Sequence, residues 1–278
     1  MKVVSARTLD EALAALASAT SAARILAGGT DLVVEMESGR TRPDLVVDVG
    51  RLAQLRWIRE TEAGLELGAG TTCTDLMHSA AAARHADLLV EAAREVGAVQ
   101  IQNRATIGGN LGTASPAADL VPVLFALGAS VRLRSLAGAR DLPIESFVTG
   151  YRATARRTDE LIESIALPRR PAEERRAFRK VGTRRAQSIS KLVVALAIGP
   201  RGSNARIAAG SVAERTLRLG ALESALASGL EPAGIAPAVR AALLVDVRPR
   251  DDVRSTAEYR RAVLGRLLTR ILLDMLHP

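Results

Sequence analysis

The sequence predicts an α+β protein of two or three lobes, and three observations carry that expectation. Its 278 residues exceed one ordinary core at roughly 100–200 residues per domain. Helix-like and strand-like periodicities alternate through the first part of the chain. After a charged, proline-containing break, three strand-like runs precede one long amphipathic helix.

Along the chain, Thr8 and Glu11 read as a capping box, and Leu9, Ala12, Leu13 and Leu16 recur at helical spacing, which predicts a helix over 9–18. A strand follows at Arg24 to Leu26, then a turn at Gly28 and Gly29, a brief helix over Leu32 to Glu37, and a strand in DLVVDVG. These make a lobe of about 1–50. A second lobe, 51–171, opens with the strand LELGAG (65–70) and continues through two helices in TDLMHSAAAARHADLLVEAAREVG. It closes with strands in SVRLRS and ELIESIALP. Pro168 and Pro171, set in LPRRPAEERR, mark a boundary near 172. In the remaining 172–278, RAFRKVG, KLVVALAIG and ARIAAGSV read as strands, and Ser255 with Glu258 is expected to cap the final helix.

Composition removes several function classes. Hydrophobic residues are 48% and charged residues 24%, a folded balance. No apolar run reaches the 18 or so residues of a spanning helix, and MKVVSARTLDEALAAL lacks a signal-peptide core, so a cytoplasmic location without a membrane span is expected. The single cysteine, Cys73, excludes disulfides and a four-thiolate cluster, and reads as a small half-buried residue rather than a flavin anchor. A metal centre, if one is used, belongs to a partner. The net charge of +8 is concentrated between Arg169 and Lys191, where nine lysines and arginines face only Glu173 and Glu174. Aromatics are 2% and Phe178 alone falls in that window, which argues against nucleic acid. The basic run reads instead as a solvated face or a docking patch for an acidic partner. His78, His85 and His277 form no acid–base constellation.

Two glycine loops stand out, AGGTDL at 27–32 and TIGGNLGTAS at 106–115. Bare backbone brings N–H groups close to an anion, and Thr30, Thr113 and Ser115 add hydroxyls. Two such nests suit a pyrophosphate; the alternative is a pair of tight turns. Neither loop is GxGxxG, GAGTTC at 68–73 fails at its last position, and no GxxxxGK[ST] occurs. Asp119 would repel phosphate, so it reads as an acceptor for sugar hydroxyls or ring N–H groups, or else as the N-cap of a helix over Leu120 to Leu127.

With AGGTDL, QIQNRATIGGNLGTASPAADLVP, GYRATARRTDELIESIALP and FRKVGTRRAQSISK in this order, nearly the whole chain resembles the FAD-binding medium subunit of the molybdenum hydroxylases, the xanthine dehydrogenase and carbon monoxide dehydrogenase family. The resemblance implies a two-lobed FAD-binding domain of the vanillyl-alcohol-oxidase (PCMH) type over 1–171, then a C-terminal α+β domain of the carbon monoxide dehydrogenase flavoprotein type over 172–278. It implies non-covalent FAD here, with molybdopterin on a large partner and [2Fe-2S] clusters on a small one, as an αβγ unit or its dimer. Electrons would leave the assembly through this chain.

The same resemblance assigns Ile25, Leu26, Ala27, Gly28, Gly29, Thr30, Asp31 and Leu32, with Thr106, Ile107, Gly108, Gly109 and Asn110, to the pyrophosphate and nearby sugar. It puts Asp119 on the cofactor's polar groups and Ile162 and Lys180 at the flavin, while Thr113 and Ser115 remain, with Thr30, candidate cofactor-binding hydroxyls of the two nests. A cation beside the ring would stabilise its reduced form and raise the potential. Val96 stands where some relatives place an aromatic residue, and Gln102 where many carry arginine. Two other readings stay open: a self-contained flavoprotein reductase or oxidase of the same fold, and a docking module without cofactor.

Overall fold

Three main sheets order the chain, which a computed structural model describes over residues 1–184 and 186–276. Arg185 of the basic run and His277 lie outside the described residues. In the first lobe, β1 (Lys2–Ser5), α1 (Leu9–Ala17), β2 (Arg24–Leu26), α2 (Leu32–Glu37) and β3 (Leu45–Asp48) build a parallel sheet ordered β1-β3-β2. Thr8 Oγ1 accepts the Glu11 N–H at 3.1 Å, while the Glu11 carboxylate reaches one residue further out, to the Arg7 N–H. Ala12, Leu13 and Leu16 face Val47, which accounts for the predicted periodicity.

The second lobe begins with β4 (Ile58–Thr61) and β5 (Gly64–Gly68) and then runs through six helices. These are α3 (Cys73–His78), α4 (Ala80–His85), α5 (Asp87–Arg94), α6 (Val99–Gln102), α7 (Ile107–Thr113) and α8 (Leu120–Ala126). After them come β6 (Ser130–Ser135), β7 (Gly138–Pro143), α9 (Ile144–Phe147), the hairpin β8 (Val148–Gly150) and β9 (Ala153–Thr154), and β10 (Leu161–Pro168). The antiparallel sheet is ordered β4-β5-β10-β6-β7. Where two helices were expected there are three, because the Ser79 hydroxyl accepts the Ala82 N–H and restarts the chain as α4. Strands β4 and β7 escape sequence reading for a different reason: they are sheet edges with few buried side chains and hence little apolar alternation.

Beyond them β11 (Arg175–Val181), β12 (Leu192–Ile198), β13 (Arg206–Gly210) and β14 (Leu217–Arg218) form an antiparallel sheet, followed by α10 (Gly220–Ala227), α11 (Pro232–Asp246) and α12 (Ala257–Leu276). All seven residues of β12 are buried. Alternate side chains explain this, since successive residues of a strand face opposite ways. Val193 and Ala195 join the core of the second lobe, whereas Leu192, Val194, Leu196 and Ile198 pack with Leu222, Val239, Leu264 and Leu268 of the helices. The sheet is thereby held between two cores.

The same alternation corrects the reading of the basic run. On β11, Arg176, Phe178 and Lys180 share the face that meets the second lobe. Arg176 reaches Asp87 at 3.0 Å and Glu174 at 2.7 Å, Arg206 reaches Glu174 at 2.7 Å, and Arg170 reaches Asp87 at 2.8 Å. Lys191 lies over the Tyr259 ring. Part of the positive charge, at Arg170, Arg176 and Lys180, is therefore spent within the protein, as a seam between the β11–β14 sheet and helices α5 and α8, while Arg169, Arg175, Arg179 and Arg184 stay exposed to solvent.

The final helix also differs in its cap. Thr256 Oγ1 accepts the Tyr259 N–H at 3.1 Å, so Thr256 and not Ser255 closes the end, and the Ser255 N–H goes to Asp252. Asp252 also receives Arg254 and the buried Arg260. Burial works against the Asp252 charge, but the hydrogen bonds from Arg254 and Arg260 hold its carboxyl far below the usual carboxylate range. A carboxylate depressed in the fold stabilises above its unfolded value, about 3.9, and loses that contribution as the pH falls below it. Asp252→Asn is expected to cost about 1–2 kcal/mol at neutral pH. Urea titrations should show this difference fading as the pH falls through about 4. Among the described residues no helix is long and apolar enough to cross a membrane.

Candidate functional site

Strand β2 delivers the first glycine loop to the boundary with the second lobe. A β-carbon at position 28 would lie 1.8 Å from the Arg104 carbonyl oxygen, so only glycine permits this approach. The contact places AGGTDL directly beside the chain entering TIGGNLGTAS. Gly29 follows with φ +79°, turning the backbone into α2. Among the described residues the N–H groups of Gly28, Gly29, Thr30, Asp31 and Leu32 find no acceptor, and the Thr30 hydroxyl makes no hydrogen bond. These are five unspent donors in succession, with Ile25, Leu26 and Ala27 leading into them.

The second loop is not the free nest that its glycines suggested. Ile107 N–H donates to the Thr71 carbonyl at 2.9 Å and Gly108 N–H to the Ala69 carbonyl at 2.9 Å. Gly109 N–H donates to Thr106 Oγ1 at 3.0 Å, and Asn110 N–H to the Thr106 carbonyl. The first turn of α7 is thus satisfied internally, with Thr106 as its N-cap. What remains open lies on the side chains. Asn110 Oδ1 is buried without a partner, and the Thr113 hydroxyl makes no hydrogen bond among the described residues. Ser115 Oγ accepts the Ala117 N–H at 3.3 Å, leaving its own proton available. A buried carbonyl-type oxygen left unpaired costs about 1–3 kcal/mol, which points to a donor on a bound group.

Asp119 and Lys180 meet each other rather than open space. Lys180 Nζ lies 2.7 Å from Asp119 Oδ2 and donates to the Glu95 carbonyl at 2.6 Å, next to Val96. Ser190 Oγ donates to the other Asp119 oxygen. The Lys180 side chain is only 4% exposed and that of Asp119 12%, so Lys180 is no member of a solvated run. Burial pushes the Asp119 carboxyl up, with Lys180 and Ser190 pulling against it. Asp119 stands at the N-cap position of α8, yet its side chain makes no capping hydrogen bond. Ile162 on β10 lies against Gly112 of α7. The sites expected from sequence therefore fall into two neighbouring groups, one where the glycine loops touch and one at the seam.

Other candidates carry no chemistry. Cys73 is fully buried, and burial followed by the nearby Asp119 charge pushes its thiol up to about 12. A thiolate for covalent attachment is therefore unavailable at neutral pH. His85 Nε2 lies 2.9 Å from Glu60, which Arg84 also binds. Among the described residues no three His, Cys, Asp or Glu are grouped to hold a metal. A cleft of ≈ 540 Å³ opens between Glu174, Pro200 and Met275, and no predicted site residue lines it. Sequence reasoning missed Ser190 and the 69–71 backbone that fixes the second loop. The strand-turn-helix form of LGAGTTC, with Thr72 and Asp75 as a capping box, was the available signal for the latter; Ser190 had none.

Donors for phosphate on the first loop, with unspent hydroxyls and an orphaned amide oxygen on the second, fit the polar half of a dinucleotide such as FAD. Comparison with known proteins agrees. Residues 1–170 match the family described as FAD binding domain in molybdopterin dehydrogenase, and 176–275 match the CO dehydrogenase flavoprotein C-terminal domain. The nicotinate dehydrogenase FAD-subunit of Eubacterium barkeri is 36% identical over 177 residues, spanning 63% of this chain and 60% of that protein. Subunit alpha of the 6-hydroxypseudooxynicotine dehydrogenase complex of Paenarthrobacter nicotinovorans is 32% identical across 99% of this chain and 94% of its own length. Among solved structures, carbon monoxide dehydrogenase from Hydrogenophaga pseudoflava contains a chain that superposes with a TM-score of 0.91 at 29% identity, covering 97% of this chain and 95% of that one.

Proposed function

This chain belongs to the FAD-binding medium subunits of the molybdenum hydroxylases, the xanthine dehydrogenase and carbon monoxide dehydrogenase family, and on that premise we propose that it is the electron outlet of such an oxidoreductase. In this proposal [2Fe-2S] clusters on a small partner deliver electrons, a large molybdopterin partner oxidises the substrate with water, and an external acceptor takes the electrons from this chain. FAD, when bound, supplies the two-electron junction between them. The observation that carries the proposal is the run of unspent N–H donors at Gly28 to Leu32, held against the Arg104 carbonyl where the chain enters the second loop, on which the Asn110 oxygen is buried and unpaired.

The residues divide the work. Gly28 to Leu32 present N–H groups and the Thr30 hydroxyl to phosphate, while Thr106, Ile107 and Gly108 hold the second loop in register beneath it. Gly109, Asn110, Thr113 and Ser115 face polar groups of the same ligand. Val96 and Ile162 give the ring an apolar surround, and the Lys180–Asp119 pair supplies a cation and an acceptor at its polar edge. Residues 1–171 form the FAD-binding domain in this proposal, and 172–278 the domain that brings Lys180 to it.

Non-covalent binding gives a direct check. The purified chain should carry, or take up on reconstitution, one FAD, and acid precipitation should leave the yellow colour in the supernatant. A chain that stays colourless when offered FAD contradicts the function; colour that stays with the pellet contradicts the buried, protonated Cys73.

A further inference from the structure

We infer that Arg152, at the tip of the β8–β9 hairpin, is a positioning residue for the Gly28–Leu32 loop, acting through Glu35 of α2. This rests on the proposal that the loop carries the FAD phosphates. Helix α2 has six residues and none is buried; Val33 and Val34 are 42% and 51% exposed. Apolar packing therefore does little to fix how the helix, and the donors leading into it, are aimed. Its start is set by the close approach of Gly28 to Arg104. Its middle is set by an ion pair, since Arg152 Nη2 donates to Glu35 Oε1 across 117 residues of sequence and from one lobe to the other.

Arg152 adopts φ +50°, a left-handed conformation uncommon for a long side chain. Glycine would suit that turn better, so a side chain is kept there against local preference. Both partners are partly shielded, at 29% and 24% exposed, which protects the pair from screening. Among the described residues neither side chain has another charged partner. Without the pair, α2 is free to pivot about Gly28, and the five N–H groups lose their common direction.

Titration of FAD into flavin-stripped chain tests this with four variants: Arg152→Met, Glu35→Gln, the double variant and Arg152→Lys. Each neutral single variant should weaken FAD binding about tenfold, and the double variant no more than either one, because both act through a single pair. Arg152→Lys should recover part of the loss by keeping the charge. Apo melting temperatures should stay within about 2–4 °C of wild type, as expected for a partly exposed pair in a chain of this size. Unchanged dissociation constants in the single variants, or losses that add in the double, overturn the inference while leaving FAD binding intact. A wild-type chain that binds no FAD overturns the underlying function as well.

Discussion

A Gly109→Val chain is expected to fold normally and to purify without flavin. A β-carbon at 109 meets only the Thr106 hydroxyl, at 2.9 Å, with nothing else within 4 Å. Beyond that hydroxyl the side chain would project into open space beside the first turn of α7, without displacing the core. Valine is no poorer a helix former than glycine, and the cost to folding is the Thr106 hydroxyl that must shift, a disturbed cap of about 1 kcal/mol. Bound phosphate has no such tolerance, so the dissociation constant for FAD should rise at least about a hundredfold, ~2.7 kcal/mol. Gly108 makes the contrast, because a β-carbon there would lie 2.6 Å from the Ala69 side chain and would damage folding itself. The ratio of flavin to protein absorbance, with circular dichroism as the folding control, decides it. Full flavin in a folded Gly109→Val chain would remove α7 from the site.

Lys180→Met is expected to be among the most destabilising single changes in the seam. It strands the Asp119 carboxylate, which is largely buried and otherwise held by Ser190. Removing one member of a buried pair costs about 3–5 kcal/mol, against a total stability of about 5–15 kcal/mol for a typical fold. Lys180→Met/Asp119→Asn should regain most of that loss, since no charge is left to desolvate. The pH dependence follows from the raised Asp119 carboxyl. Its folded value lies above the unfolded one, about 3.9, so the folded state holds the proton more tightly in that window and stability declines as the pH rises through it. The single variant, with the lysine gone, should show a wider window, and its deficit should shrink as the pH is lowered toward 4 in urea titrations. A pH-independent deficit would mean that Asp119 is not the stranded group.

Local periodicity made much of the fold legible. Helix α1 followed from its capping residues and apolar spacing because one of its faces is buried, and strands β3 and β12 followed from their apolar runs, β12 being buried on both faces. Edge strands β4 and β7 and the hairpin β8–β9 were hidden, since an edge buries too little to pattern the sequence. The site was legible as glycine loops, but what their backbone does was not. Whether an N–H is free depends on a neighbour distant in sequence, and at Ile107 and Gly108 that neighbour is the 69–71 turn. The basic run misled for a related reason. RRAFRKV shows its charges in sequence, whereas their partners, Asp87, the Glu95 carbonyl and Asp119, come from helices distant in sequence that pack on the sheet.

The most direct test of the account is metal and flavin analysis of this chain after co-expression with a large molybdopterin-type chain and a small cysteine-rich chain from the same gene neighbourhood. Affinity capture through this chain should recover molybdenum, iron and FAD together, and substrate should reduce the flavin only in that assembly. The isolated chain should hold FAD and oxidise no organic substrate. Turnover of an organic substrate by the single chain at enzyme-like rates, or capture that never brings molybdenum and iron, would contradict the account in favour of a self-contained flavoprotein.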